Sequence, residues 1–187
     1  MAGADKLFTE VAGRPLLAHA IAPFQECASI ERIVLVMAPL NLKRGRELVE
    51  RYGFTKAATL VKGGERRQDS VRLGLEALGE REYVAVHDGA AVPIADTVKE
   101  VGPEGVVLRT LDRSHLSAVQ TPQVFRYELL MRAHREVTED VTDDAAMVEA
   151  LGERVRLFEG SRANVKVTTV ADLELAAALL IARVEVA

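Results

Sequence analysis

Cysteine occurs once, at Cys27, so no internal disulfide can form, and His19, His87, His115 and His134 are too scattered to suggest a zinc cluster. Redox and zinc chemistry are set aside on that ground. No apolar run reaches the roughly 18 residues of a membrane span, and the N-terminus lacks the charged-then-apolar layout of a signal peptide. The expectation is a cytoplasmic protein that does not engage a membrane. An excess of basic charge is also missing: the formal net charge of −4 argues against a general nucleic-acid binder. No G-x-G-x-x-G follows any of the candidate strands, which disfavours a dinucleotide oxidoreductase. Internal repeats and low-complexity segments are absent as well.

What is present is an alternation of short apolar runs and amphipathic ones. The chain has 187 residues and 49% hydrophobic composition, enough for one domain, 1–187, with a sizeable core. Leu16, Leu17, Ala20, Ile21 and Phe24 recur at helical spacing behind Pro15, predicting a helix from Pro15 to Gln25. Ile33-Val34-Leu35-Val36 predicts a strand covered on both faces, followed by a helix from Asn41 to Tyr52 that Gly53 stops. The alternation continues with a strand at Ala57 to Val61, a helix at Asp69 to Leu78 and a strand at Tyr83 to Val86. This order implies an α/β fold with a doubly wound, mostly parallel sheet.

Past Ala91 the pattern changes. Asp96 to Arg113 reads as two strands joined by the turn-rich Gly102-Pro103-Glu104-Gly105, a hairpin. Helices are expected at Tyr127 to Val137 and Asp143 to Leu151, and strands at Arg154 to Phe158 and Asn164 to Val167. A last helix runs to Arg183 from Thr169 and Asp172, which stand at capping-box spacing. One joint is awkward. Only about five residues separate the Tyr83 strand from the run at Ala91, whereas parallel neighbours need a crossover of a dozen or more. Either the two are antiparallel or a segment is missing there.

Four stretches carry polar residues in places where chemistry is possible. In "KGGERRQDSV", Gly63 and Gly64 can adopt positive φ and let a ligand approach the backbone, while Asp69 or Ser70 can cap the next helix. That helix N-terminus, with Arg66 and Arg67, suits a phosphate; the plainer alternative is a solvated turn with an ordinary cap. "VAVHDGA" places Asp88 at a strand end, where a carboxylate holds Mg²⁺ or a ribose hydroxyl, or else makes a turn with Gly89. His87 beside it reads as a packing residue. Lys166 lies within the expected strand at Asn164 to Val167 and must snorkel or meet an anion, unless it guards a sheet edge. Thr142, Asp143 and Asp144 suit the cap and first turn of the following helix.

Taken in order, "KLFTEVAGRPLLAHAI", "GGERRQDSVRLGL", "VAVHDGA", "DTVKEV", "TLDRSHLSAVQTPQVF", "VTDDAAMVEALG" and "NVKVTTVADLELA" resemble the 2-C-methyl-D-erythritol 4-phosphate cytidylyltransferases of the non-mevalonate isoprenoid pathway. The resemblance covers essentially the whole chain, and "DRSHLSAVQTPQVF" and "NVKVT" are its most specific parts. It implies a Rossmann-like nucleotidyltransferase fold with a β-hairpin dimerisation arm at about 94–115. It also implies transfer of CMP from CTP to methylerythritol phosphate with Mg²⁺, releasing pyrophosphate. By the same resemblance Lys6 and Lys166 would be catalytic, holding the α-phosphate. Gly63, Gly64, Glu65, Arg67, Ser70 and Asp88 would contact CTP, with Ser70 helping to select cytosine. Asp88, Thr97, Arg113, Thr142 and Lys166 would contact the acceptor, and Asp88 would also help place the metal. The arm would clasp a second subunit, so that Thr97 and Arg113 complete the partner's site in a homodimer.

Two departures from the family stand out. Its members begin with a strand and a glycine-rich loop ending in Arg-Met, whereas this chain starts Met1-Ala2-Gly3-Ala4-Asp5-Lys6. They also continue after the strand-end Asp with Arg-Pro, a helix and a strand, whereas here Ala90 meets Ala91. The expectation is that the natural protein carries both segments; an intact mass of 20.4 kDa would contradict it. Two other functions stay open at this point: a cytidylyltransferase for another polyol phosphate such as ribitol 5-phosphate, and a non-catalytic nucleotide-binding module.

Overall fold

The computed structural model of the chain describes residues 6–87 and 91–184. A tight reversal comes first: β1 (Glu10–Val11) and β2 (Arg14–Pro15) pair antiparallel around Ala12 and Gly13. Their φ values of 46° and 77° are the consecutive left-handed conformations that a two-residue hairpin requires. Strands this short carry no readable period, and the ribbon was not among the expected elements.

The alternation expected next is present. α1 (Leu16–Glu26) has Pro15 as its N-cap, β3 (Val34–Met37) follows, and α2 (Leu42–Tyr52) ends on Gly53 at φ 65°. β4 (Thr59–Lys62) lies parallel to β3, with Val34 opposite Thr59 and Met37 opposite Lys62. α3 (Arg67–Leu78) and β5 (Tyr83–Val86) complete this half. Side chains of β3 alternate as a two-period strand demands. Leu35 packs with the α1 and α2 core, and Met37 lies so close to α2 that a Cβ on Gly45 would stand 2.4 Å from its Sδ. Val36 faces the other way, 2.8 Å from where a Cβ on Gly74 of α3 would be. The β3–β4 pair is therefore covered on both faces, as its continuous apolar runs required.

β6 (Ala91–Pro93), β7 (Lys99–Val101), β8 (Val107–Thr110), β9 (Ser117–Val119) and β10 (Gln123–Arg126) follow, then α4 (Tyr127–Glu136), α5 (Asp144–Ala150) and α6 (Val170–Val184). β5 pairs antiparallel with β10 and β6 with β9, so the two strands of the awkward joint do not pair with each other. The expected hairpin is β7–β8, antiparallel with Lys99 opposite Thr110, its turn closed by Gly102 N–H donating to Val106 O at 2.9 Å and by Gly105 at φ 76°. The α/β class stands, with one parallel pair and four antiparallel pairs among the described residues.

Two expected strands are not strands. Residues 154–158 join no ladder among the described residues, and Leu157 and Phe158 are exposed. Residues 164–167 join no ladder among the described residues, and side chains bond part of this segment. Gln120 Nε2 donates to Ser161 O and Asn164 O, Asn164 Nδ2 donates to Thr121 O, and Lys6 Nζ donates to Val167 O at 3.1 Å. β-branched composition alone could not distinguish the two arrangements.

The buried residues form two clusters. Ala18, Ile21, Leu48, Val49, Phe54 and Ala57 hold α1 and α2 together, while Leu75, Val84, Phe125, Leu130, Ala133 and Met147 join α3, β5, β10, α4 and α5. α3 lies against both halves: Gly74 approaches Val36 of β3, and Leu75 belongs to the second cluster. At α6 the capping box is as read: Asp172 N–H donates to Thr169 Oγ1 at 3.3 Å, and Asp172 Oδ2 accepts from Thr169 N at 2.6 Å and Thr168 N at 2.8 Å. Those backbone donors lower the Asp172 carboxyl to about 2.

Candidate active site

The loop Gly63–Arg66 leaves the C-terminal end of β4 and turns straight into α3. Gly63 N–H donates to Met37 O at 2.9 Å, which extends the β3–β4 ladder by one step. Gly64 N–H donates to Ser70 Oγ at 3.1 Å, and Ser70 Oγ donates in turn to Arg66 O at 3.2 Å. The loop is thus folded back on the first turn of its own helix. That fold corrects the expected reason for the two glycines, because neither is among the positive-φ residues. They are needed for close approach: a Cβ on Gly63 would stand 2.9 Å from Ser70 Oγ, and one on Gly64 only 2.4 Å from Asp69 Cβ.

Capping also differs in detail from the expectation. Arg66 is the N-cap, and Asp69, at the third helical position, accepts from Arg66 N at 3.2 Å, giving the carboxylate half of a capping box. The Arg66 guanidinium bonds both Asp69 oxygens, which holds that carboxyl below the usual carboxylate range. Ser70 lies inside the helix, its hydroxyl engaged in shaping the loop. Glu65 is exposed.

Lys6 Nζ donates to the carbonyl of Val167, which ties it to the segment that carries Lys166, far away in sequence; Lys166 itself is exposed. Arg67 turns toward α5, its Nη2 donating to Asp144 Oδ2 at 2.7 Å. His134 Nε2 donates to the other Asp144 oxygen at 3.1 Å. Burial works to raise the Asp144 carboxyl, but the His134 and Arg67 donors outweigh it and leave it below its ordinary value. Composition suggested only a helix-capping role for Asp144, and its burial had no sequence signal; Asp143 is the cap, accepting from Ala146 N at 2.9 Å. Thr142 is exposed just before it.

Thr97 and Arg113 stand at the base of the β7–β8 hairpin, where Arg113 Nη1 donates to Ala95 O. Asp88 lies outside the described residues; its neighbour His87 packs as expected, its ring 4.7 Å from that of Phe24 and its Nδ1 3.3 Å from Thr121 Oγ1. No group of three or more metal-ligating side chains converges among the described residues. The described residues offer no ready-made cage for a cation, and Mg²⁺ at a nucleotide usually takes phosphate oxygens among its donors.

A shaped glycine loop at a strand's C-terminal end, with a helix N-terminus behind it, is the usual form of a nucleotide-phosphate site in an α/β sheet. The class they define is a nucleotidyltransferase. A model of the 2-C-methyl-D-erythritol 4-phosphate cytidylyltransferase family matches in two blocks, residues 1–92 and 90–182, which meet at the awkward joint. The chain is 44% identical to the cytidylyltransferase of that name from Dehalococcoides mccartyi, over 96% of this chain and 90% of that one. That alignment runs over 204 residues, so relatives carry residues without a counterpart here. A similar protein from Pelotomaculum thermopropionicum is 41% identical over 95% and 87% of the two chains. Among solved structures, 4-diphosphocytidyl-2C-methyl-D-erythritol synthase from Anaerococcus prevotii superposes with a TM-score of 0.85 at 25% identity, covering 97% and 92%. The Thermus thermophilus cytidylyltransferase gives 0.77 at 31%, covering 96% of each. The chain belongs to the 2-C-methyl-D-erythritol 4-phosphate cytidylyltransferase family.

Proposed function

We propose that this protein transfers CMP from CTP to 2-C-methyl-D-erythritol 4-phosphate, giving 4-diphosphocytidyl-2-C-methyl-D-erythritol and pyrophosphate. The observation that carries the reading is the Gly63–Ser70 loop, held in shape by its own helix, in a chain of this family. An acceptor phosphate oxygen attacks the α-phosphorus of CTP, the new P–O bond forms, and the bond to the β-phosphate breaks with pyrophosphate leaving. The acceptor phosphate is already anionic at neutral pH, so no general base is required. Catalysis then consists of alignment and charge neutralisation. Lys6 and Lys166 neutralise the α-phosphate. Gly63, Gly64, Glu65, Arg67 and Ser70 form the nucleotide wall, with Ser70 acting through the loop it closes. Asp88, by its place in the family's motif, would contact the ribose and help hold Mg²⁺, which would supply further positive charge. The natural protein carries an additional segment at 90–92; the two-block family match and the long alignments support this.

The acceptor side is composite. Thr142 and Lys166 come from one subunit, and Thr97 and Arg113 reach over on the arm of the other. What supports a homodimer is the arm's surface: Val101, Val106, Val107 and Leu108 are all more than half exposed, the last at 63%. Apolar residues on a two-stranded ribbon have no core of their own to enter. A cytoplasmic location belongs to the same reading, and no described helix is long and apolar enough to cross a membrane.

The experiment is subunit mixing. Lys166→Ala and Arg113→Ala are each expected to be nearly inactive alone. After subunit exchange their mixture should recover about a quarter of wild-type CMP transfer, since half the dimers are mixed and each holds one intact site. Absence of recovery in dimers proven to be mixed would contradict an arm that acts across the interface.

A further inference from the structure

Three bridges tie the start of α3 to the segment that leads into α5. Arg66 Nη1 reaches Asp140 Oδ1 at 3.3 Å, Gln68 Nε2 donates to Glu139 O at 2.9 Å, and Arg67 Nη2 donates to Asp144 Oδ2 at 2.7 Å. They are not equivalent. The Arg66 and Asp140 side chains are 51% and 82% exposed, and a pair so wet fixes little. Asp144, by contrast, is fully buried, and His134 on its other oxygen is 1% exposed. A buried ion pair is weak as a source of stability, because apolar side chains of the same volume serve at least as well. What such a group supplies is fixed geometry: among the described residues one carboxylate oxygen accepts from Arg67 on α3 and the other from His134 on α4.

Its position in the chain gives that geometry a use. Arg67 stands between Glu65 and Ser70 on the nucleotide wall, and Asp144 stands two residues after Thr142 on the acceptor side. We propose that Asp144 is a positioning residue, clamping the first turn of α3 to the Thr142 loop so that CTP and the acceptor phosphate are held in register. The inference rests on the CMP-transfer reading of the site. Asp144 touches neither substrate and acts through Arg67. In-line attack is sensitive to displacements of about 1 Å, which cost up to about 10²-fold in rate.

Asp144→Asn, which keeps shape and removes charge, tests this by steady-state kinetics in both substrates together with backbone hydrogen exchange on the intact protein. The expected result is a kcat/KM lowered about 10- to 100-fold, with KM raised for CTP and for the acceptor alike. Exchange should be faster across residues 64–70 while the interior of α4 around Leu130 stays protected. A residue that only holds the fold would reduce the active fraction and leave both KM values unchanged, and that outcome overturns the proposal. Should Asp144→Asn not fold, Arg67→Lys removes the guanidinium fork but keeps the charge; the same paired rise in KM is expected, and its absence overturns the proposal. If the wild-type protein releases no pyrophosphate from CTP and methylerythritol phosphate, the functional reading fails separately. The exchange experiment then decides the clamp alone: faster exchange at 64–70 supports it, and unchanged exchange there refutes it.

Discussion

Lys166→Ala should lower kcat/KM for CMP transfer by about 10²–10³, most of it in kcat. The segment around Lys166 is tethered by side chains: Gln120 holds the carbonyls of Ser161 and Asn164, Asn164 bonds the carbonyl of Thr121, and Lys6 bonds that of Val167. These bonds tether the backbone that carries Lys166, and one of them comes from Lys6. In the proposed reading, Lys166 and Lys6 set two ammonium groups against a centre where negative charge builds up in the transition state. Removing a preorganised group of that kind costs more in the transition state than in the ground state. A loss confined to KM would mean that Lys166 only binds substrate, and the catalytic assignment would fall.

The second large effect is at Gly64. A Cβ there would stand 2.4 Å from Asp69 Cβ and 3.3 Å from the Asp69 carbonyl carbon, and these atoms belong to the first turn of a helix that cannot swing aside. Gly64→Ala must push the loop off α3 and break the bond from Gly64 N to Ser70 Oγ. KM for CTP is expected to rise about 10- to 100-fold while KM for the acceptor changes little. Because the loop is exposed, folding stability should change far less than CTP binding, which calorimetry would read directly. Gly63→Ala is milder by the same geometry: its Cβ would meet the Ser70 hydroxyl, the end of a side chain that can rotate. Unchanged CTP binding in Gly64→Ala would mean that the loop does not form the nucleotide wall.

Much of the first half was legible because each element there obeys one period. The run at 34–37 sits between two helix layers, α2 stops at Gly53, and the box at Thr169 and Asp172 opens α6 as its spacing indicated. The candidate site residues were named on a different ground: residues such as Lys6, Gly64 and Lys166 lie in ordered motifs that resemble one family. Misreadings arose where tertiary partners replaced local ones. Residues 164–167 have strand composition, yet the bonds observed at their carbonyls come from the side chains of Gln120 and Lys6 and not from a neighbouring strand. The role of the two glycines was attributed to backbone sign when it lies in proximity to Asp69 and Ser70. Asp144 looked like any acidic residue in a first helical turn, and only the convergence of α3, α4 and α5 makes it a buried clamp. Nothing in linear spacing connects positions 67, 134 and 144.

Pyrophosphate release by the intact protein tests the central claim most directly. With CTP, methylerythritol phosphate and Mg²⁺ the account predicts steady release that depends on both substrates and stops when the metal is chelated. ATP in place of CTP, or ribitol 5-phosphate in place of the acceptor, should give little. Binding of CTP without pyrophosphate release, or faster turnover with ribitol 5-phosphate, would contradict it.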